Sequence, residues 1–472
     1  MKQQTRRDFL KAFGGAVAFS ASLSVLGARG RLESPVKGKR PNILLFLPDQ
    51  HRFDWLGTNP RLPVRTPNLD GLAKEGVLFS RAFCPSPLCA PSRASLASGR
   101  HYDRCGVTNN GQNYPVGQPT FYSLLRESGY HVAGVGKFDL HKKTLDWGLD
   151  GSRLVNEWGF SEGIDNEGKW DAIRSGANVP KGPYMAYLHR RGLAEIHVAD
   201  FRKRRSYAAT FPTALPEEAY CDNWIGNNGL QMLRRFSRDN PWFLVVNFTG
   251  PHGPMDVTKR MHARWQGVDF PQPNNCKRFD PPTHVKIRQN YSAMVENIDR
   301  WLGIYIEELK QRGEFGNTII VYSSDHGEML GDHNRWGKSV PYQPSVGIPM
   351  IIWGTSGVKG VVSDAPVSLT DLAATFLDYA NIPRPEYMDS MSLKPLLEGK
   401  KESHREYVLS GLNKWRMVFD GQYKLIQTVG KSPVLYDLLN DPLENEDVAH
   451  QEPDRVQRLA KLIAPRTEGG AR

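Results

Sequence analysis

The sequence predicts an α/β fold: a large, mostly parallel sheet sandwiched by helices, followed by a small C-terminal antiparallel-sheet subdomain. Three observations carry this reading. Short β-rich apolar runs alternate with helix-period stretches over most of the chain, the pattern of a parallel sheet covered on both faces. At roughly 100 to 200 residues per domain, the 472 residues accommodate one large domain and a smaller companion. Near residue 400 the pattern changes to short runs separated by turn residues.

Taken in order, the strands of the large sheet are predicted at Asn42 to Leu47, His131 to Val135, Trp242 to Val246, Thr318 to Tyr322 and Met350 to Trp353. Between the third and fourth, Tyr291, Met294, Ile298, Trp301, Leu302, Tyr305 and Leu309 recur at three- and four-residue steps. That spacing predicts a helix with one buried face. The runs Lys414 to Phe419, Gln422 to Gln427 and Val434 to Leu438, broken at Asp420-Gly421 and Gly430, read as hairpin-linked strands. The expected organisation is a catalytic domain over 40–395 and a C-terminal subdomain over 396–472.

The first 28 residues form a separate unit. Arg6-Arg7 precede Phe9 and Leu10, and a mildly apolar stretch follows from Ala12 to Leu26, interrupted by Gly14, Gly15, Ser20, Ser22 and Ser24. This reads as a twin-arginine export signal, too short and too diluted to span a bilayer at ~20 residues. The expectation is therefore export through the twin-arginine translocase to a periplasmic or extracellular location, with no stable membrane insertion. That route carries chains already folded, and so suits one that acquires a metal or a modified residue beforehand.

Composition narrows the function classes. Hydrophobic residues at 39%, aromatics at 10% and charged residues at 24% provide a core and exclude a disordered chain. Lysine and arginine number 61 against 50 acidic residues, a net charge of +11 that suits anionic ligands. The positive charge is spread along the chain, with no paired-cysteine finger or basic zipper, so no nucleic-acid partner is expected. Cys84, Cys89, Cys105, Cys221 and Cys276 make neither a disulfide framework nor a zinc spacing.

Acids, bases and metal-ligand types concentrate at predicted strand ends, where open α/β sheets gather their ligands. Pro48-Asp49-Gln50-His51 follows the first strand, and Ser324-Asp325-His326-Gly327-Glu328 follows the fourth. Any one of these residues alone is equally a cap or turn residue. Jointly, Asp49, Gln50, Asp325 and His326 offer two carboxylates, an amide oxygen and an imidazole to one divalent cation. Calcium is expected, because hard oxygen donors dominate, with manganese or magnesium also compatible. Cys89-Ala90-Pro91-Ser92-Arg93 places a cysteine just before a proline at a helix start, where the helix dipole and free N–H groups favour an anionic oxygen. Arg93, one turn on, is placed to steady that oxygen.

The run C-x-P-S-R at Cys89 to Arg93, continuing to Leu96 and Gly99-Arg100, resembles the signature of the type I, formylglycine-dependent sulfatases of the alkaline phosphatase superfamily. The resemblance extends over nearly the whole chain after the export signal. Asn42 to Gln50 resembles the family's first metal strand, with Gln50 where an aspartate is commoner. Ser323 to Glu328 resembles its second metal motif, Trp336-Gly337-Lys338 its second catalytic lysine, Phe248 to His252 its sulfate-contacting histidine segment, and Leu435 to Glu444 its C-terminal subdomain.

The resemblance implies a sulfatase that hydrolyses a sulfate ester of a carbohydrate or aryl alcohol. Cys89 would be oxidised to formylglycine (3-oxoalanine) by a formylglycine-generating, sulfatase-maturating enzyme, and its hydrate would attack sulfur beside the cation, joining the metal set. Lys137, Lys338 and His252 would stabilise the sulfuryl oxygens and leaving alkoxide. One departure stands out: the family's Gly-Lys-x-His reads here Gly136-Lys137-Phe138-Asp139-Leu140-His141. Asp139 takes over as base, His141 swings in, or Asp139 merely pairs with Lys137. A phosphonate monoester or phosphodiester hydrolase of the same superfamily, and a catalytically silent sulfated-glycan binder, are the competing functions. His333, Arg335 and the insert around Lys169 to Arg205 are expected to shape substrate subsites.

Overall fold

The structure, a computed structural model, describes residues 40–463, so the export signal lies outside the described residues. Its centre is an eight-stranded sheet of order β5-β4-β6-β1-β7-β8-β2-β9. The strands are β1 (Asn42–Phe46), β2 (Val77–Phe79), β4 (His131–Gly136), β5 (Glu162–Asp165), β6 (Trp242–Asn247), β7 (Thr318–Ser323), β8 (Met350–Trp353) and β9 (Val361–Ser363). A two-stranded side sheet pairs β3 (Ala82–Phe83) with β10 (Val367–Ser368). From β5 to β7 all neighbours run parallel, and β8 runs antiparallel to β7.

Alternation along the strands explains the two layers of helices. In β1, Ile43 and Leu45 join one buried cluster while Leu44 and Phe46 join another, because successive side chains leave a strand on opposite faces. The first cluster is closed by the helices Cys89–Ser98, Phe121–Glu127 and Asp371–Tyr379, and the second by Pro67–Glu75, Cys221–Arg235 and Pro281–Gln311. All five predicted strands are present. The sequence reading missed β2, β5 and β9, which are only three or four residues long. Helix Pro281–Gln311 starts ten residues before the predicted Tyr291. Its first turns are polar, and Asp280, whose side chain accepts from the Thr283 N–H, caps them ahead of a proline start.

The chain closes on the antiparallel sheet β11 (Val408–Leu412), β12 (Trp415–Phe419), β13 (Tyr423–Thr428) and β14 (Val434–Asp437), packed beneath the helix Pro453–Ile463. A fully buried ion pair, Lys424 with Glu444, ties this subdomain to the segment between β7 and β8. Glu444 accepts from the Gln343 N–H at 2.6 Å, and Lys424 donates to the Pro341 carbonyl at 2.8 Å. The clamped segment carries Lys338. His333 belongs to the same contact, its ring stacked on Tyr342 at 4.2 Å with Nε2 2.9 Å from the Leu443 carbonyl.

Candidate active site

Neighbouring strands deliver the site. Asp49 lies just past β1, Lys137 past β4, His252 past β6, and Asp325 and His326 past β7. Gly136 (φ +104°) is required where β4 ends, since a Cβ there would stand 1.9 Å from the Asn247 carbonyl oxygen. That close approach lets the Lys137 N–H donate to the same carbonyl at 3.0 Å. Cys89 is the first residue of the helix Cys89–Ser98 and is 2% exposed.

Ligand atoms of Asp49, Cys89, Asp325 and His326 all lie within 4.8 Å of one another. His326 Nε2 stands 3.4 Å from Cys89 Sγ, 3.5 Å from Asp49 Oδ1 and 3.7 Å from Asp325 Oδ1. Its Nδ1 faces the Gly327 carbonyl at 3.1 Å; a carbonyl only accepts, so the proton sits on Nδ1 and Nε2 turns its lone pair inward. Gln50 Nε2 donates to Glu328, leaving the buried Oε1 without a hydrogen-bond partner. Two carboxylates, an unpartnered amide oxygen and an inward lone pair fit a divalent cation.

Cationic side chains surround Cys89. Lys338 Nζ lies 2.9 Å from Sγ, and Lys137 bridges Asp49 and, at 3.0 Å, Asp139. Burial and the Asp49 charge push the thiol up, but Lys137 and Lys338 outweigh them and lower its pKa to about 7. Among the described residues Arg93 shows no hydrogen bond to Cys89. Its Nε instead pairs with Asp325 at 2.9 Å, and Nη1 donates to the Lys137 carbonyl at 2.6 Å and to Asn247 Oδ1 at 3.0 Å.

Asp139 sits between two lysines, 3.0 Å from both Lys137 and Lys142. Burial pushes its carboxyl up, yet Lys137, Lys142 and Arg93 together hold it well below the usual carboxylate range. A carboxylate so stabilised is a weak base. His141 does not join the site: its ring lies 6.4 Å from that of Trp158, and its charged neighbours are Arg153 and Asp146. His252 Nδ1 faces the Gly253 carbonyl at 2.6 Å, so Nε2 carries the lone pair. Burial and then Lys338 hold that imidazole well below its ordinary pKa. His51 is structural, its ring nitrogens engaged by Tyr322 and the Trp55 carbonyl.

Three participants escaped the sequence reading. Lys142 links Asp139 to Asp171 at 2.6 Å, and its charge six residues from Gly136 was the available signal. Asn247 holds Arg93, and Tyr207 packs tilted against Trp336, ring centres 4.9 Å apart, with its hydroxyl 3.3 Å from Glu328.

The family model for sulfatases matches residues 41–382. The chain belongs to the sulfatase family. A second model, for the C-terminal part of N-sulphoglucosamine sulphohydrolase, matches residues 331–466. Among relatives, this sulfatase is 28% identical to an arylsulfatase of Clostridium perfringens over 91% of its own length and 95% of the relative's. It is 25% identical to an N-acetylglucosamine-6-O-sulfatase of Bacteroides thetaiotaomicron, over 78% and 73%. Its fold matches the phosphonate monoester hydrolase of Agrobacterium radiobacter (TM-score 0.75, 23% identity, 90% of this chain and 94% of that one). It also matches a protein solved with its substrate D-glucosamine-2-N,6-O-disulfate (TM-score 0.72, 20% identity, 90% and 97%). The sulfatase is a sulfuric ester hydrolase, and the described residues include no helix long and apolar enough to cross a membrane.

Proposed function

We propose that this chain hydrolyses sulfate esters of a carbohydrate or aryl alcohol through a formylglycine at position 89 and one divalent cation, calcium being favoured by the oxygen-rich donor set. The observation that carries the reading is the convergence of Asp49, Asp325, His326, Lys137 and Lys338 on Cys89. In this reading Cys89 Sγ stands where the hydrate oxygens of formylglycine lie. Such a hydrate supplies a nucleophilic oxygen and, through its second hydroxyl, an elimination route that serine and cysteine lack. Asp49, Gln50, Asp325 and His326 would hold the cation, which would supply charge stabilisation beside position 89.

The chain's own side chains do the rest. Lys338 and Lys137 present fixed positive charge around position 89, where negative charge develops as the ester bond breaks. Arg93 keeps Asp325 aimed inward. His252, neutral with its lone pair on Nε2, would take up the hydrate proton, the task that the family's usual histidine performs and from which Asp139 is held back by its pairing with Lys137 and Lys142. Maturation by a formylglycine-generating enzyme and export by the twin-arginine translocase to a periplasmic or extracellular location complete the proposal. Lysines at both Arg6 and Arg7 then block delivery outside the cytoplasm, and normal delivery of that variant counts against the route. The activity is tested by sulfate released from 4-nitrophenyl sulfate and a panel of sulfated sugars, beside a phenylphosphonate monoester. Faster turnover of the phosphonate contradicts the assignment.

A further inference from the structure

A second recess, sharing no lining residue with the site around Cys89, opens on the outer side of the helices Pro183–Arg190, Cys221–Arg235 and Pro281–Gln311. Its volume is about 730 Å³, within the range of about 300–1,000 Å³ that holds small ligands. Four arginines, Arg190, Arg191, Arg260 and Arg300, stand in its walls. Two are neutralised at the rim: Arg191 pairs with Glu218 at 3.2 Å and Arg260 with Glu217 at 3.4 Å. The other two are not. Arg190 is exposed and has no ion-pair partner among the described residues. Half-buried Arg300 donates to the neutral amide oxygens of Asn223 at 2.9 Å and Asn297 at 3.0 Å. The third carboxylate of the recess, Asp150, is turned to the N–H and hydroxyl of Ser152. Burial and the neighbouring Arg260 both push the Arg300 pKa down, against the pull of Glu217, the sign of a cation short of counter-charge.

The remaining wall is aromatic. Tyr187 and Trp224 lie with ring centres 6.1 Å apart, and Trp301, its indole N–H held 2.8 Å from Asn223 Oδ1, carries the Arg300 guanidinium 4.8 Å above its ring. Unpaired guanidinium forks select oxyanions. Trp224 and Trp301 are buried and back the wall, while Tyr187 is its accessible ring; an aromatic face accepts the apolar face of a sugar ring.

We propose that this recess is an accessory site for a sulfated oligosaccharide segment, with Arg190 and Arg300 meeting sulfate groups and half-buried Tyr187 meeting a ring face. The choice of sulfate among anions rests on the proposed carbohydrate-sulfatase function; the anion and sugar chemistry rests on the recess alone. The site holds a polymeric substrate to the enzyme away from the ester being cleaved.

The test titrates a heparin-derived hexasaccharide and its desulfated counterpart into the full chain carrying Cys89→Ala, which cannot consume the ligand. Adding Arg190→Ala with Arg300→Gln weakens binding of the sulfated form by about tenfold or more. Arg190→Ala alone, at an exposed position, weakens it severalfold at an unchanged thermal midpoint. In the chain with intact Cys89, Arg190→Ala leaves hydrolysis of 4-nitrophenyl sulfate within about twofold. Equal affinity with and without the two arginines overturns the proposal, as does equal binding of the desulfated form. No hexasaccharide binding by a chain that turns over 4-nitrophenyl sulfate also overturns it. Arginine-dependent binding by a chain that hydrolyses no sulfate ester supports the accessory site and counts against the proposed function instead.

Discussion

At position 139 a carboxylate replaces the imidazole that the sulfatase pattern leads one to expect, and its surroundings decide what it does. Asp139 is locked between Lys137 and Lys142, and in the proposed mechanism it orients the lysine that reaches Asp49 rather than moving a proton. Asp139→Asn is therefore expected to lower kcat/KM by about ten- to a hundredfold with no burst of alcohol release. His252→Ala traps the sulfated enzyme and gives a burst followed by slow turnover, read by rapid-quench kinetics. The reverse pattern makes Asp139 the base. Glu328 acts at one remove: by taking the Gln50 amide N–H it leaves the buried Oε1 without a hydrogen-bond partner, and it also accepts from the Leu330 and Gly337 N–H groups. Glu328→Gln confronts donor with donor, and calorimetry is expected to show calcium affinity reduced by about ten- to a hundredfold. The ligand types were legible in the sequence because metal and nucleophile chemistry admits few residues. Of the partners of Asp139, Lys137 was among the expectations but Lys142 was not, since lysine three residues on is ordinary surface spacing until the fold buries it.

Among elements, the long buried strands announced themselves by unbroken apolar runs, as in Trp242–Asn247 and Thr318–Ser323. Edge pieces such as Val361–Ser363, with Val361 and Val362 more than a third exposed, carry too few residues for a period to emerge. The C-terminal sheet was visible through its turns, but its function as a clamp was not: Lys424 and Glu444 meet across twenty residues. Burial pushes the Lys424 ammonium down, and Glu444 offsets it. Lys424→Met leaves Glu444 buried and unpaired, and is expected to cost about 3–5 kcal/mol by denaturant unfolding, with kcat falling as the segment bearing Lys338 loosens. Lys424→Met combined with Glu444→Gln should recover most of the stability. No recovery contradicts the ion-pair explanation.

For the whole molecule, the stability profile with pH carries a signature of its own. Burial raises the Glu167 carboxyl to about 7, against the Tyr184 and Met185 N–H groups that favour its charge, and raises Asp299 to about 6. A carboxyl raised on folding contributes stability that is complete below its unfolded pKa of about 4 and is lost as pH rises through the folded value. These two carboxyls thus contribute a decline in unfolding free energy between about pH 4 and 7, opposed over the same range by the buried histidines His51 and His197, lowered to about 4 and about 3. Glu167→Gln, neutral at every pH, flattens that decline, and an unchanged slope in the variant contradicts the assignment. The two-layer architecture and the order of the site segments along the chain were readable from alternation and motif order. The recess walled by Arg190, Arg191, Arg260 and Arg300 was not, because helices distant in sequence assemble it.

The chemistry assigned to this sulfatase turns on residue 89. The tryptic peptide Ala82–Arg93 contains both Cys84 and Cys89, so one thiol serves as an internal control for the other. Cys84 is buried and its thiol is pushed well above the ordinary range, by burial first and then by Asp325, which leaves it unreactive. Mass analysis of this peptide from catalytically active protein is expected to show loss of sulfur at position 89 alone, a thiol retained at Cys84, and capture by a hydroxylamine probe. An active enzyme whose position 89 is entirely thiol contradicts the account.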